Sequence, residues 1–295
     1  MSEHIRFGPS GISEPFYQQG FKHSYQMPAW LRSMGLSAYE YSFGRGINIG
    51  EEKARLLGEQ VASHDIAMSV HAPYYINLCS PGEEQRAKSR NYIIRSVRTA
   101  RQMGATRVVF HPGSVAGMDR AEALRLTMGE VERLLAELSD APDMLLCPET
   151  MGKLNQQGTV DEILQICSID RQRLLPAVDF GHINALTQGS LKTAEDFRRI
   201  VDAIEGTLGT QAARRFHIHF SHIEYGKSGE VRHLTFEDTV YGPFFEPLAQ
   251  VLSERNLAPV VICESKDRMA EEALRMKSIY EEACDNRSSQ RVEEE

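Results

Sequence analysis

Short apolar, β-branched runs recur along the whole chain. They read RFGPSG (6–11), AYEYSF (38–43), IAMSVHAP (66–73), RVVFHPG (107–113), MLLCPET (144–150), LLPAVDFGH (174–182), RFHIHFSH (215–222) and PVVICES (259–265). Several are continuous rather than alternating, the pattern of parallel strands buried on both faces. Between them the period changes to that of helices. Residues 82–103 place Ile93, Ile94, Val97 and Ala100 on one face, and Gly104 follows as a stop. Residues 119–138 place Leu124, Val131, Leu134, Leu135 and Leu138 largely on one face. Thr159 to Glu162 reads as a capping box, and 193–206 and 268–282 are amphipathic.

Eight strands alternating with helices predict an α/β protein of the (β/α)8 TIM barrel class. Neither GxGxxG nor GxxxxGK[ST] follows the first strand, which removes the commonest nucleotide-binding alternative. The 295 residues suit one such barrel, which takes about 250. A single domain is expected over 1–284, followed by a flexible polar tail, DNRSSQRVEEE, at 285–295.

Composition narrows the class. Hydrophobic residues at 41% and charged residues at 25% fit a soluble globular protein. No apolar run is long enough to span a membrane, and the N-terminus lacks a basic-then-apolar leader. The five cysteines (79, 147, 167, 263, 284) form no CxxC pair and read as reduced thiols, so the expected location is cytoplasmic. A net charge of −8 disfavours nucleic-acid binding by the whole surface but leaves room for a local basic rim.

The chemistry is positional. Catalytic groups of a barrel stand at the C-terminal ends of its strands. Those ends carry His71, His111, Glu149, Asp179 with His182, His219 with His222, and Glu264; the loop after the seventh strand adds Glu230 and His233. In the third run Pro73 ends the strand just after His71. Taken singly, each residue has a plainer reading, as a hydrogen-bonded histidine or a helix-capping carboxylate. Converging on one barrel mouth, they would be a costly cluster without cations. Imidazole with carboxylate suits Zn2+, Mn2+ or Fe2+. His217 and His219 share a face, and His219 lies nearer the strand's C-terminal end. Cys147 and Cys263, beside the carboxylates, read as barrel filling and as a helix-facing residue. His4, His23 and His64 read as surface residues.

The segments VHAPYYINL, FHPGS, CPET, VDFGH, IHFSH and ICES, in this order, resemble the endonuclease IV family of apurinic/apyrimidinic (AP) endonucleases. The likeness covers residues 37 to 280, with HAPYYINL and FHPGS the most specific matches. A looser likeness to xylose-isomerase-like barrels is also visible. The resemblance implies a TIM barrel with two or three zinc (Zn2+) ions. His71 and His111 would hold one ion with Glu149, and Glu149 would bridge to a second held by Asp179, His219 and Glu264. His182 and His233 would hold the third. The family completes that third site with an Asp two residues before the last histidine; here Val231 stands there, with Glu230 as the substitute. Tyr74, and Arg45 in the loop FGRGIN, would face the DNA. The implied activity is cleavage of duplex DNA 5′ to abasic sites by metal-activated water, with Glu149 setting the ion spacing and Glu264 orienting the water. The expected partner is duplex DNA containing abasic sites, met by a monomer.

Lys153, Lys227, Arg232 and Lys266 lie on strand-end loops and could contact phosphates. The rival is a sugar isomerase or epimerase using one divalent ion on Glu149, Asp179, His219 and Glu264. That rival has no need of His71, His111, His182 and His233 together.

Overall fold

Each apolar run forms a strand: β1 Arg6–Pro9, β2 Ala38–Ser42, β3 Ala67–His71, β4 Arg107–Phe110, β5 Leu145–Pro148, β6 Ala177–Asp179, β7 His217–Phe220 and β8 Val260–Cys263. These come from a computed structural model that describes residues 4–115 and 117–294. Strands β2 to β5 pair in parallel as one group, and β6, β7, β8 and β1 as another. Two seams join the groups. Ser10 bridges Glu40 between β1 and β2, and Leu146 with Leu174 and Glu149 with Ala177 bridge the β5–β6 side. The sheet therefore closes into an eight-stranded barrel. At the first seam a Cβ on Gly8 would lie 1.8 Å from the carbonyl oxygen of Ala38, so only glycine lets β1 approach β2.

The strand period of two sorts the side chains. Val70, Val108, Leu146, Val178, Ile218 and Val261 point outward into the main core beneath the helices. Ala38, Ala67, Val260 and Ile262 point inward and form a small apolar floor. Above the floor the interior turns polar, with Glu40, Ser69, Arg107 and His217 all buried.

The expected helices appear at Glu83–Gln102, Arg120–Glu137, Val160–Cys167 and Ala194–Leu208. Thr159 and Glu162 make the predicted capping box. After β7 the chain makes a hairpin, Ile223–Gly226 with Gly229–His233, that folds over the mouth-side loops; Gly229 bridges Lys153.

The last helix, Met269–Glu294, runs through the segment expected to be a frayed tail from 285 onward. Arg287 hydrogen-bonds the carbonyl of Ser253, and Ser288 and Ser289 donate to carbonyls four residues back, so these polar groups are satisfied within a helix. Glu295, at the end of that segment, lies outside the described residues, as do residues 1–3. Among the described residues no helix is long and apolar enough to cross a membrane.

Candidate metal centre

Because inward positions alternate, the last inward residue of each strand arrives at the same rim. Glu149 stands at the centre of this convergence and is fully buried. Its Oε2 lies 3.0 Å from His71 Nε2 and 3.1 Å from His111 Nε2. Its Oε1 lies 3.2 Å from His219 Nδ1 and 3.3 Å from His182 Nδ1. Glu264 Oε2 is 3.5 Å from His219 Nδ1. Three donor sets result: His71, His111 and Glu149; Glu149, Asp179, His219 and Glu264; and His182, Glu230 and His233. The structure thus brings together every residue expected to ligate a metal.

The backbone chooses which nitrogen of His71 and of His182 faces the donor sets. His71 Nδ1 lies 2.7 Å from the carbonyl of Ala72, and His182 Nδ1 lies 2.9 Å from the carbonyl of Thr150. A carbonyl only accepts, so in the neutral form both rings keep their hydrogen on Nδ1 and present Nε2 as a lone pair. His233 Nδ1 is held 2.9 Å from the Ser221 hydroxyl. Asp179 does two jobs. Its Oδ1 caps helix Phe180–Leu186 by accepting from the His182 backbone N–H at 2.8 Å. Its buried Oδ2 has no aligned hydrogen-bond partner, although His182 Nδ1 is 3.2 Å away. The donor edges fit a small cation. Zinc with ligands at about 2.0–2.1 Å in a tetrahedron sets donor atoms about 3.3 Å apart; the carboxylate–imidazole edges of the first two sets run from 3.0 to 3.5 Å, and the Glu230–His233 edge of the third is 3.9 Å.

The third set depends on an irregularity. In a regular strand, Glu230 and His233 would face opposite sides. In the hairpin, Tyr225 pairs Glu230 while its neighbour Glu224 pairs Arg232, leaving Val231 unmatched. This bulge turns Val231 outward, 56% exposed, and lets Glu230 and His233 share a face. Glu230 Oε2 lies 3.5 Å from His182 Nε2, and Oε1 lies 3.9 Å from His233 Nε2. The neighbouring turn must stay small, because a Cβ on Gly152 would meet Glu230 Cβ and His182 Cδ2 at 2.9 Å.

A cavity of about 310 Å³ opens above these groups. Tyr74, Lys153, Gln156 and Glu264 line it alongside the histidines. Arg45 Nε donates to the Tyr74 hydroxyl at 3.1 Å on the exposed rim. Lys227, Arg232 and Lys266 are exposed, and Arg232 is paired with Glu224 at 2.6 Å. His222 points elsewhere, stacked on Phe236 with its Nδ1 3.1 Å from the Asp238 carbonyl. Burial pushes the Cys147 and Cys263 thiols up to about 12, which rules out a resting thiolate at either.

Sequence reasoning missed one residue of the cluster. Glu40, fully buried on β2, lies 3.0 Å from His217 Nε2 and 2.9 Å from His219 Nε2. A charge in the middle of the apolar run AYEYS was the available signal.

The electrostatics follow from burial and contact. Burial opposes ionisation of Glu149 and Glu40, but the facing imidazoles overcome it and hold both carboxyls well below the usual range. Burial would lower His71 and His182; instead Glu149 raises His71 to about 9, and Asp179 with Glu149 raises His182 to about 10. Burial drives His217 down to about 4 despite Glu40, so it is neutral. Both His71 and His182 hold their protons more tightly folded than at the ordinary value of 6.5. Without a cation, their contribution to stability is complete below pH 6.5 and is lost as pH rises through 9 to 10. Chelator-treated protein should therefore melt at falling temperature across that interval. Zinc-loaded protein should not follow, because ligating rings have no such proton to lose. A chelator-treated melting temperature that climbs over the same interval would contradict this electrostatic account.

A family model described as xylose isomerase-like TIM barrel matches residues 28–283. An uncharacterized protein of Methanocaldococcus jannaschii is 34% identical over 236 residues, which span 80% of this chain and 84% of that protein. A protein of Aquifex aeolicus named probable endonuclease 4 is 26% identical over 222 residues, 75% of this chain and 78% of its own length. The crystal structure of endonuclease IV from Thermus thermophilus superposes with a TM-score of 0.68 at 18% identity, covering 94% of this chain and 99% of that one. A D-tagatose 3-epimerase-like protein superposes with a TM-score of 0.72 at 19% identity, covering 96% and 100%. At such identities the two structures speak for the barrel alone.

Proposed function

The chain belongs to the xylose isomerase-like TIM barrel family, and from that premise we propose that it is a metal-dependent phosphodiesterase of the endonuclease IV type, cutting duplex DNA 5′ to an abasic site. One observation carries the reading: the mouth gathers three donor sets rather than one, and Glu149 belongs to two of them. The set Glu149, Asp179, His219 and Glu264 would be enough for a sugar enzyme with a single ion. A single-ion site does not need His71 with His111, and His182 with Glu230 and His233, as further donors. Relatives named probable endonuclease 4 support the same reading.

Divalent cations, with zinc the first choice and Mn2+ or Fe2+ the alternatives, would supply Lewis-acid polarisation of a phosphodiester and acidify a water at neutral pH. The chain's own contribution is arrangement. Glu149 offers one oxygen to each of two sets and so fixes their spacing. The carbonyls of Ala72 and Thr150 hold the rings of His71 and His182 in the tautomer that ligates. Glu264, its side chain 16% exposed, lines the cavity and can accept a hydrogen bond from an attacking water. Lys153 and the Arg45–Tyr74 pair place cationic and aromatic groups where a phosphate and an unstacked sugar would lie. With a net charge of −8, attraction for DNA has to come from such local cations.

The test is an end-labelled duplex carrying one abasic site, incubated with zinc-loaded protein and with Glu264→Gln. Cleavage 5′ to the lesion, lost in the variant, is the expected result. Intact DNA after incubation with protein that retains its zinc by elemental analysis would sink the nuclease reading. The four-donor sugar chemistry, which suits the same barrel, would then be tested on ketoses with the same preparations.

A further inference from the structure

Beneath the mouth lies a buried polar layer whose members come from four strands: Glu40 on β2, Ser69 on β3, Arg107 on β4 and His217 on β7. Its hydrogen positions follow from donor and acceptor rules alone. A guanidinium only donates, and Arg107 Nη1 lies 3.4 Å from His217 Nδ1, with Nη2 donating to the Arg215 carbonyl at 3.1 Å. His217 Nδ1 is therefore the acceptor, and its hydrogen sits on Nε2. That Nε2–H reaches Glu40 Oε2 at 3.0 Å, and the Ser69 hydroxyl donates to the same oxygen at 2.8 Å. Glu40 Oε1 is left without an aligned partner, 2.9 Å from His219 Nε2. The two Nε2 atoms are 3.2 Å apart, and each has its own carboxylate oxygen to satisfy.

An ionised carboxylate only accepts, so the group that suits His219 at this point is Nε2–H. A neutral imidazole then has its lone pair on Nδ1. That atom faces Glu149 at 3.2 Å and Glu264 at 3.5 Å. His219 differs here from His71 and His182, which are held at Nδ1 by backbone carbonyls and ligate through Nε2. Its orienting group is a side chain from the far side of the barrel.

We propose that Glu40 is a positioning residue of the metal centre: its carboxylate holds His219 in the Nε2–H form and aims Nδ1 into the donor set of Glu149, Asp179 and Glu264. The inference rests on reading the mouth as a metal centre. Glu40, His217 and His219 lie close enough together to enclose an ion of their own. The layer is already balanced without one, since Arg107 occupies His217 Nδ1 and Ser69 occupies Glu40 Oε2. A cation placed there would also sit beside a buried guanidinium.

Two measurements on the full chain decide it. In zinc-loaded, nitrogen-15-labelled protein, long-range proton–nitrogen correlation should show His219 protonated at Nε2 and ligating through Nδ1. In competition with a chelating dye, Glu40→Gln should release one zinc ion about ten- to a hundredfold more readily than the unaltered chain. Ser69→Ala should shift release in the same direction by less, and Glu40→Asp should restore part of the affinity. A Glu40 that serves only the fold would lower the melting temperature and leave the tautomer and the zinc competition unmoved. The proposal is overturned by an Nδ1–H His219. It is equally overturned by unchanged zinc retention in Glu40→Gln and Ser69→Ala. A fourth zinc ion that disappears only in Glu40→Gln would overturn it too, by making Glu40 a ligand. If Glu40→Gln does not fold, the spectrum of the unaltered chain and the Ser69→Ala competition still separate the two roles. An unaltered chain that takes up no zinc would instead overturn the metal-centre reading and this inference with it, an outcome distinct from a zinc-loaded chain with an Nδ1–H His219.

Discussion

Glu149→Gln should cost the protein at least two cations and lower cleavage of an abasic duplex by more than about a hundredfold, the upper end of what losing an outer-shell partner costs. Both oxygens of this carboxylate are committed, Oε2 toward His71 and His111 and Oε1 toward His219 and His182. Glutamine keeps the volume but offers a single acceptor oxygen. Its amide N–H groups, turned to either side, would occupy a ring lone pair meant for a cation, that of His71 and His111 or that of His219. The variant also removes the negative charge that raises His71, so that ring should titrate nearer its ordinary value. Metal-to-protein ratio by elemental analysis, the cleavage assay and the His71 titration by NMR check the three consequences. A variant that keeps its full metal content and its activity would remove Glu149 from the centre of the site.

The second large effect is local. Glu230→Ala should lower the zinc content by one ion per chain and leave the other donor sets loaded. Val231→Ala should leave it unchanged. The asymmetry follows from the bulge, which puts Val231 in solvent and Glu230 within 3.5 Å of His182. In the family resembled, the third carboxylate stands at the position of Val231. Here the carboxylate beside His182 stands one residue earlier, and the hairpin register absorbs the difference. Zinc stoichiometry of the two variants, measured after dialysis against the same free-zinc buffer, separates the readings. A loss on Val231→Ala equal to that on Glu230→Ala would mean that the hairpin does not hold this register.

Much of the molecule was legible in the chain. The apolar runs became the eight strands, because β-branched residues buried on both faces have few other solutions. The capping box at Thr159 and the glycine stop after Gln102 read correctly, since both are local backbone chemistry. The polar tail reads as frayed from the chain alone, whereas the structure continues helix Met269–Glu294 through it. Its polar composition gives no sign that Arg287 reaches the Ser253 carbonyl or that the preceding helix carries on through it. His222 has the same residue type and strand-end position as the donors, yet its ring turned to Phe236.

Sequence alone determined the barrel and the strand ends at which His71, His111, Glu149, Asp179, His219 and Glu264 stand. Strand period and the residues that end strands are properties of neighbours along the chain. Tertiary structure decided the rest. It put Glu230 rather than Val231 beside His182 and His233, because a bulge depends on the register between two strands. It chose the nitrogen of His182, because the Thr150 carbonyl that accepts from that ring arrives from another strand's end, whereas His71 is held by the carbonyl of its own neighbour, Ala72. It brought Glu40 against His217, 177 residues away along the chain. No periodicity encodes such a contact; it exists only because closing the sheet places β2 across the barrel from β7.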